Sequence, residues 1–536
     1  MQSYRAEVLI VGAGIAGISA ALDLLDAGKA VVLLDRDERA ALGGLAKESF
    51  GGMFFVDSPQ QRRQGIRDSA ELALRDWCSF AQFGANDHLP RAWAERYVSR
   101  CTADVHDWVH MLGVRFFPVV NWVERGEFVP GNSVPRFHMV WGTGHGLAQK
   151  LIDALLHQRH AGRLKLLFGH RVERLLLQDD AVSGAQGVRE QDGVPFEVQA
   201  EQIVVASGGI NGDLDRVRRH WHADWSIPPA EMLNGSHRYA DGRLHDAVGA
   251  IGGNITHLDK MWNYAAGVHH PRPRKPHHGL SLVPPRSALW LNWRGERIGP
   301  QPLVSGFDTR RLVSDICAQE RPYSWQVLNR RIALKELAVS GAEFNPSIRD
   351  KKVLAFLRDI LFGNRWLVEE LTRHCPDFVV AGSVPELVEK MNALQGDQSV
   401  QYQVVQDAIT QYDATIGRGR SLMNDEQLRR IAELRQYRGD RVRLCKYQRI
   451  ADQDALPLIA IREFVISRKS LGGIQTDLHS RVLNVAGQAI EGLYAVGEAA
   501  GFGGGGLHGL RALEGTFLGS CILSGRIAAK SIVGRV

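Results

Sequence analysis

The chain has 536 residues, 44% of them apolar and 23% charged, which is the composition of a globular protein large enough for two or three structural units. No run of about 18 uninterrupted apolar residues is present to span a membrane, and a net charge of +6, spread along the chain, argues against nucleic acid as a partner. The six cysteines lie far apart without a CxxC or a zinc-ligand spacing, which favours a reducing cytoplasm.

The first predicted element is a short apolar strand over residues 7–11, followed by a glycine turn and a helix. The turn reads Gly12-Ala13-Gly14-Ile15-Ala16-Gly17. Its first glycine permits the tight turn, the second lets the backbone approach a pyrophosphate, and the third lets the helix pack on the strand. A second strand over residues 30–34 ends in Asp35, an acid suited to accept the ribose hydroxyls. This order predicts a dinucleotide site of the Rossmann type and leaves NAD and FAD open.

Three further segments favour FAD. Residues 43–53 form a second glycine-rich loop, where the backbone can pass close to a flat ring system. Residues 203–209 and 492–498 each read as a buried strand that ends in small residues. Any one of these segments is ordinary, but all three in this order after the first turn predict FAD.

The chain resembles the flavoprotein group that contains soluble fumarate reductases, succinate dehydrogenase flavoprotein subunits and 3-ketosteroid dehydrogenases. The resemblance covers nearly the whole chain and rests on GAGIAG, GGLAKESFGGM, IVVASGG, ADGR near Asp241, and SLGGIQTD through GLYAVGEAAG. RKSLGGIQTDL and HGLRALEGTFLG look most like a bacterial subgroup of FAD-binding dehydrogenases. The resemblance implies an α/β fold, in which a Rossmann-type FAD-binding domain (1–254 and 451–536) is split by an α+β capping domain (255–450). The sequence from 255 to 450 reads mostly as loop and amphipathic helix.

The resemblance also implies how the cofactor is held. The flavin ring is expected between the two domains, with the amides of a helix that begins near Leu513 directed at it. The succinate dehydrogenase-like members tether flavin through a histidine in the second glycine loop, and residues 46–50 contain none, so we expect non-covalent FAD. The predicted cofactor-binding residues are Gly12, Gly14, Ile15, Ala16, Gly17, Asp35, Arg36, Gly43, Gly44, Leu45, Ala46, Ser49, Gly51, Gly52, Val172, Ala206, Ser207, Gly208, Glu498, Gly515, Thr516 and Phe517.

The catalytic residues of the related families are not conserved as a set in this chain. When the last segment is aligned without gaps, Arg511 falls where ketosteroid 1-dehydrogenases place a tyrosine that acts on the α proton, and the arginine of fumarate reductases falls on Ala512. Arg468 and Lys469 stand where a histidine precedes the two glycines in fumarate reductases. These three basic residues are candidates to bind a carboxylate or a polarised oxygen, and the alternative for Arg468 and Lys469 is that they are surface charges before a turn. His508 is either a proton relay or a packed loop histidine.

The leading functional hypothesis is hydride transfer between flavin N5 and a carbon–carbon bond next to a carbonyl. A hydrophobic ketone is favoured by Trp262, Trp290 and Trp293, expected together in the cap, although core packing would explain them as well. The alternatives are reduction of an unsaturated carboxylate, an amine or hydroxyl oxidase, and a non-catalytic FAD-binding redox protein. The substrate is expected to be a small molecule with a carbonyl or carboxylate, and the electron partner is left open.

Three features of the predicted cap have competing interpretations. Asn292–Arg297 resembles a family hairpin without its final phenylalanine, and Arg310 and Arg311 are either substrate or proton-path residues or solvated arginines at a helix start. The stretch 269–278 holds four histidines, but its prolines predict an extended, mobile loop without fixed metal-ligand geometry.

Overall fold

The computed structural model describes residues 2–535, which divide by their contacts into two units. The first unit holds residues up to 222, residues 236–262, and residues from 468 on; the second holds residues 223–235 and 263–467. The sequence places the insertion at 255–450, so the observed unit begins and ends later and also takes in 223–235. The strands Met261–His269 and Leu458–Ser470 run across these boundaries without a break, so no turn or linker signal marks them.

The first unit is built on a sheet with five parallel strands. Residues 2–11 lie in its centre, between residues 31–34 on one side and 195–205 on the other, with 164–167 and 489–495 outside them. The apolar residues of these strands are almost all buried, as expected of a sheet that is covered on both faces. The sheet strands are Gln2–Val11, Val31–Leu34, Leu164–Leu167, His170–Gln178, Ala181–Arg189, Pro195–Val205, Arg481–Leu483 and Ala489–Ala495.

Helices surround this sheet. The α-helices of the first unit are Ile15–Asp26, Pro59–Arg63, Ala70–Ala81, His88–Arg100, Asp107–Met111, Thr143–Leu156, Leu214–Arg219, Arg243–Ala250 and Thr516–Ile532, with a π-helical turn at Cys101–His106. Two small antiparallel pairs complete it, Gly52–Phe54 with Phe137–Met139 and Ile255–Thr256 with Gly473–Ile474. The helix Thr516–Ile532 packs closely on Ile15–Asp26, since a Cβ atom on Gly525 would lie 2.3 Å from the carbonyl oxygen of Ala16.

The second unit contains a sheet, in agreement with the α+β cap that the resemblance implies, although the residue pattern of 255–450 reads mostly as loop and helix. Its long central strand, Leu458–Ser470, lies outside the predicted cap, so the shorter strands that pair with it lacked a visible partner in the sequence. The strands are Leu233–Asn234, Met261–His269, Gly279–Val283, Leu289–Asn292, Tyr323–Asn329, Ala338–Val339, Phe378–Ala381 and Leu458–Ser470. The helices are Thr309–Cys317, Arg330–Glu336, Pro346–Arg349, Val353–Phe362, Arg365–His374, Val384–Gln395, Tyr402–Gly417, Glu426–Leu434 and Arg438–Arg441.

A buried arginine ties together the loops around the first unit's helices. Arg136 is 1% exposed and donates two hydrogen bonds to Asp68, both of 2.8 Å. It donates a third to Asp76 at 2.6 Å and a fourth to the side-chain oxygen of Asn132 at 3.0 Å. Hydrogen bonds and charges from the two aspartates raise its pKa above the ordinary value, although burial alone would lower it. The guanidinium is therefore a permanent charge that donates four hydrogen bonds.

The six cysteines are unpaired thiols. Cys101 in the first unit and Cys317, Cys375 and Cys445 in the second are buried, and the other two are half-buried. Burial raises the pKa of Cys101 and of Cys317 to about 12.

Within residues 2–535 no helix combines the length and the apolar character that crossing a membrane requires.

Candidate functional site

The site begins where the parallel strands end together. Val11 is opposite Leu34 on one side and Val205 on the other, so the residues that follow these strands emerge at one edge of the sheet. Those residues are Gly12, Asp35 and Ala206. In open parallel sheets this edge is where ligands bind.

The glycine turn has room for a ligand only at its middle position. Gly12 has a φ of +113°, and a Cβ atom there would lie 2.3 Å from the carbonyl oxygen of Ala206. A Cβ atom on Gly17 would lie 2.1 Å from the carbonyl oxygen of Gly12. In contrast, a Cβ atom on Gly14 would meet nothing within 4 Å. The helix therefore starts beside open space, without a side-chain cap at Gly14, and its positive end suits a pyrophosphate.

Asp35 is held toward this turn by backbone amides. Its carboxylate accepts hydrogen bonds from the N–H groups of Ala13, at 2.7 Å, and of Asp37, at 2.8 Å. The sequence reasoning missed Asp37, whose carboxylate contacts His237 at 3.2 Å and Arg238 at 2.6 Å. Although burial alone would raise it, these bonds hold the pKa of Asp37 well below its usual range. The edge of the turn that faces the ribose thus carries two carboxylates, Asp35 and Asp37, and that of Asp37 is paired with basic side chains of the protein.

Arg36, predicted to contact the cofactor, has protein partners. Its guanidinium pairs with Glu190 at 2.5 Å and Asp241 at 2.7 Å. Its Cζ also lies 4.2 Å from the ring centroid of Tyr239. These contacts fix the side chain, and its role toward the cofactor stays a prediction.

The second glycine loop lies directly against the first. Gly43 donates its N–H to the carbonyl oxygen of Ala13 at 3.0 Å, and a Cβ atom on Gly44 would lie 3.2 Å from the Cα of Gly14. Leu45 and Ala46 follow in a short 3-10 helix.

The end of this loop packs on the helix Thr143–Leu156. Ser49 donates its hydroxyl to the carbonyl oxygen of Ala46 at 2.8 Å. A Cβ atom on Gly51 would lie 2.5 Å from the backbone nitrogen of Gly144, and one on Gly52 would lie 2.0 Å from the ring of Phe137. Only glycine fits at these last two positions.

The third predicted segment connects the sheet edge to the half-buried carboxylate of Glu498. Ala206 donates its N–H to Val11 at 2.8 Å, Ser207 follows it, and Gly208 adopts a φ of +79°. A Cβ atom on Gly209 would lie 2.5 Å from the Glu498 carboxylate. Val172 lies further away along the chain, buried at 2% exposure in the hairpin that begins at His170.

Glu498 belongs to a group of charges. Its carboxylate accepts the backbone N–H of Ser470 at 2.9 Å. Burial raises the pKa of Glu498 to about 7, against the opposing effects of that hydrogen bond and of the charges of Lys469 and Arg468. Of the predicted catalytic residues, Arg468 and Lys469 are thus close enough to act electrostatically on this acid.

Lys469 also lies beside the start of the last helix. Its Nζ is 4.2 Å from the ring centroid of Phe517. Burial lowers the pKa of the Lys469 ammonium to about 8, a shift that the charge of Glu514 opposes and that of Arg468 reinforces. The indole N–H of Trp262 donates to the Glu514 carboxylate at 3.0 Å. Glu514 and the indole N–H of Trp262 are parts of the site that the sequence reasoning missed.

The N-terminus of that helix is fixed by its glycine. Gly515 has a φ of +100°, and its carbonyl oxygen accepts the N–H of Phe54 at 2.9 Å. A Cβ atom there would lie 3.1 Å from the nitrogen of Phe54. Thr516 is buried and Phe517 is 4% exposed. The predicted role of their amides toward the flavin stays a prediction.

His508 is packed rather than placed to exchange protons with solvent. It is fully buried and stacks on Trp77 with ring centroids 5.7 Å apart. Its Nε2 lies 2.7 Å from the hydroxyl oxygen of Thr516, whose own proton goes to the carbonyl oxygen of Leu513, so Nε2–H donates. Burial lowers the pKa of His508 to about 3, with a contribution from Lys469. Of the two alternatives for His508, the geometry supports the packed histidine.

The remaining basic candidates have other partners. Arg511 is half-buried and donates to the side-chain oxygen of Gln82. In the second unit, Arg310 is 7% exposed and pairs with Asp224 at 2.9 Å, which does not match a solvated arginine. Arg311 pairs with Asp315 at 3.3 Å.

Arg297, in the hairpin that begins at Asn292, bonds to Asp425 and, at 2.8 Å, to Gln427. This contact is internal to the second unit.

The three tryptophans do not lie together in the inserted unit as expected. Trp262 belongs to the first unit, where its ring lies 6.1 Å from the ring of Phe517, measured between centroids. In the second unit the Trp290 indole donates to Ser324 at 2.8 Å, and Trp293 is 7% exposed. Trp290 and Trp293 are therefore core residues of the second unit.

Ion pairs and ring stacking hold the two ends of the histidine-rich stretch. His269 pairs with Asp377 at 2.9 Å and Glu231 at 3.1 Å, and these bonds raise its pKa to about 9. His270 stacks on His278 with centroids 4.1 Å apart. The segment between these ends is a loop, as its prolines predict, and its mobility stays a prediction.

Comparison with known proteins places this geometry among flavoproteins. The family described as FAD binding domain matches residues 7–518. The chain is 41% identical over 548 aligned residues to a KsdD-like steroid dehydrogenase of Mycobacterium tuberculosis (strain CDC 1551 / Oshkosh), and the match covers 99% of this chain and 96% of that protein.

Two solved structures share the fold. A 3-ketosteroid delta1-dehydrogenase from Sterolibacterium denitrificans has a TM-score of 0.71 at 15% identity, covering 99% of this chain and 100% of that one. The open conformation of a flavocytochrome c3 fumarate reductase has a TM-score of 0.70 at 19% identity, covering 100% of this chain and 79% of that one. They confirm the predicted α/β fold of a Rossmann-type domain with an inserted cap.

Proposed function

The chain belongs to the FAD binding domain family, and from that premise we propose that it is an FAD-dependent dehydrogenase acting on the carbon–carbon bond next to the carbonyl of a steroid-like ketone. The observation that carries the proposal is the 41% identity, along 99% of this chain, to a KsdD-like steroid dehydrogenase. Fumarate reductases share the fold at much lower identity. A ketone is therefore favoured over a dicarboxylate.

The two glycine loops fit the cofactor. The open space at Gly14, the helix start beside it and the acid Asp35 are suited to pyrophosphate and ribose, and Gly44 brings the second loop against Gly14. When bound, FAD supplies the two-electron chemistry, exchanging a hydride at N5.

Attachment is proposed to be non-covalent, because residues 46–50 contain no histidine. Acid precipitation should leave the flavin in the supernatant. Yellow colour that stays with the washed polypeptide would contradict this.

Lys469 is the proposed proton-handling group. The α proton of a ketone needs an acceptor whose pKa is near the working pH, and burial brings the pKa of Lys469 to about 8. The neutral amine takes the proton, and the ammonium that results is stabilised by the Glu514 carboxylate. Trp262 donates to Glu514 and so keeps that carboxylate in place.

The surroundings of Lys469 suit an apolar substrate. Its ammonium lies over the ring of Phe517, and Trp262 lies next to the same ring. Aromatic rings offer apolar contact area without adding a competing charge. Arg468, next in the chain, is proposed to polarise a substrate oxygen with its fixed positive charge.

A titration tests the proposal. Under anaerobic conditions a 3-ketosteroid should bleach the yellow oxidised flavin, whereas succinate should not. The runner-up function, reduction of an unsaturated carboxylate, is favoured by the adjacent cations Arg468 and Lys469. It predicts the reverse result: fumarate would restore the colour of the chemically reduced protein, and 3-ketosteroids would do nothing. If neither class acts, a non-catalytic flavoprotein is the better description.

A further inference from the structure

One helix of the second unit exposes its apolar side chains to solvent. Val353–Phe362 has the sequence VLAFLRDILF, and none of its ten residues is buried. Ten helical residues span about 15 Å. A helix of a globular protein normally turns its leucines toward the core, so this one calls for an explanation.

The exposed side chains form a stripe. Leu354 is 84% exposed, Leu357 47% and Leu361 71%, and their spacing of three and four residues puts them on one face. Phe362, the last residue of the helix and 71% exposed, and Trp366, in the next helix and 43% exposed, continue this surface. We call these five residues the Leu354 patch.

The charges around the patch are unequally exposed. Arg358 is 69% exposed, whereas its partner Asp359 is 19% exposed. Lys352 is 63% exposed and its partner Asp350 only 33%. Lys351, just before the helix, is exposed as well.

Arg365, just after the helix, is exposed too. The surface offered to a partner is therefore apolar and mainly basic: Asp359 is largely covered and Asp350 is one-third exposed, whereas Glu369 in the next helix is 53% exposed.

We propose that the Leu354 patch docks on an anionic lipid bilayer, with its leucines and aromatic rings among the acyl chains and its basic rim at the headgroups. Helices that lie in a membrane interface have this division, with large apolar residues on one face and lysine or arginine beside them. Anionic headgroups attract each basic residue near the surface.

A second copy of the chain fits the patch less well. Two copies that met through this patch around a two-fold axis would present the same surface to each other. Arg358 and Lys352 of one copy would then face basic residues of the other, and like charges oppose that contact. An anionic bilayer neutralises them instead.

Co-sedimentation of the full chain with bound FAD tests the proposal. Vesicles of phosphatidylcholine and phosphatidylglycerol in equal parts should pellet the protein, and vesicles of phosphatidylcholine alone should pellet at least about tenfold less. Binding should fall as salt is raised. The assay requires neither substrate nor turnover, so its result is independent of the proposed function.

Variants locate the contact. The triple substitution Leu354→Ser, Leu361→Ser and Phe362→Ser should weaken binding to anionic vesicles at least about tenfold, with flavin content and thermal midpoint retained. The matched control is Val485→Ser, which removes an 82%-exposed apolar side chain from the first unit and should leave binding unchanged. Lys351→Glu with Arg365→Glu should weaken binding and remove most of its salt dependence.

Two results would overturn the proposal. One is a wild-type chain that fails to pellet with anionic vesicles. The other is a concentration-dependent dimer, seen by light scattering, that the triple substitution abolishes while vesicle binding is absent, which would assign the patch to a second copy.

Discussion

Arg136 and Lys469 are basic side chains of the first unit, the first buried and the second half-buried, and their pKa values are shifted in opposite directions. Arg136 donates to Asp68, Asp76 and Asn132, and its pKa is raised. Lys469 lies over an aromatic ring, and burial lowers its pKa. A cation whose pKa is raised keeps its charge and holds loops together, whereas a cation whose pKa is lowered toward the working pH can give up its proton. The difference distinguishes a structural cation from a chemical one.

The largest expected effect is on turnover. Lys469→Met keeps the length of the side chain and removes its amine, so kcat/KM for the ketone should fall about 10²–10⁴-fold. Flavin content and unfolding free energy should change little, which separates the loss from misfolding. Lys150→Met, on the helix Thr143–Leu156, is the control and should retain activity. Wild-type turnover in Lys469→Met would remove Lys469 from the mechanism.

Arg136→Met tests whether Arg136 acts in stability and not in catalysis. Removing the cation leaves two buried aspartates without their partner, so the free energy of unfolding should fall by about 3–5 kcal/mol in a denaturant titration. The protein that remains folded should turn over normally per bound flavin. Arg174→Met, on an exposed hairpin, should change stability by about 0.5 kcal/mol or less. A stable Arg136→Met variant would show that the aspartates find other donors.

The pH dependence sharpens the contrast. Because the neutral amine of Lys469 is the active form and its pKa is about 8, the rate of dehydrogenation should rise about tenfold per pH unit below pH 8 and level off above it. Lys469→Arg keeps the positive charge but cannot lose its proton in this range, so its residual rate should be flat. An unchanged pH profile in Lys469→Arg would assign the ionisation to another group.

Glu463, in the second unit, is a third case: a buried carboxyl group whose oxygens lack a hydrogen-bond partner among residues 2–535. Burial raises its pKa well above the ordinary 4.5. The folded protein therefore keeps this proton above pH 4.5 while the unfolded chain releases it, and the group's contribution to stability falls as the pH rises.

Glu463→Gln removes the ionisable group and with it the loss of stability at high pH. It should stabilise the protein at pH 8 by about 1–2 kcal/mol and have a smaller effect near pH 4, measured by chemical denaturation at both values. Glu491→Gln, on an exposed position of the first unit, should be neutral at both. Destabilisation at pH 8 would indicate that the Glu463 carboxylate is charged and bound in the folded state.

The parts of the site that the sequence predicted are those set by local backbone geometry. The positive φ of Gly12 and the close approach of Gly17 follow from the spacing of a strand, a tight turn and a helix. The bond between Trp262 and Glu514 joins residues 252 positions apart, and no periodic pattern signals it.

The same limit applies to charge. His508 has the residue type of a proton relay, and only its burial against Trp77 shows that it stays neutral. The second unit, as its contacts define it, begins and ends later than the predicted insertion, and two strands continue across its ends. The Trp262–Glu514 bond, the burial of His508 and the bounds of the second unit all depend on contacts between residues far apart in the sequence, which local sequence patterns do not reveal.

The buried thiols allow the opening of each unit to be measured separately. Alkylating reagents react with the thiolate, and Cys101 and Cys317 hold pKa values of about 12. Labelling therefore has to wait for the chain around a cysteine to open. Mass spectrometry that follows Cys101 separately from Cys317, Cys375 and Cys445 would time the opening of the cofactor-binding unit against that of the insertion, without any introduced probe.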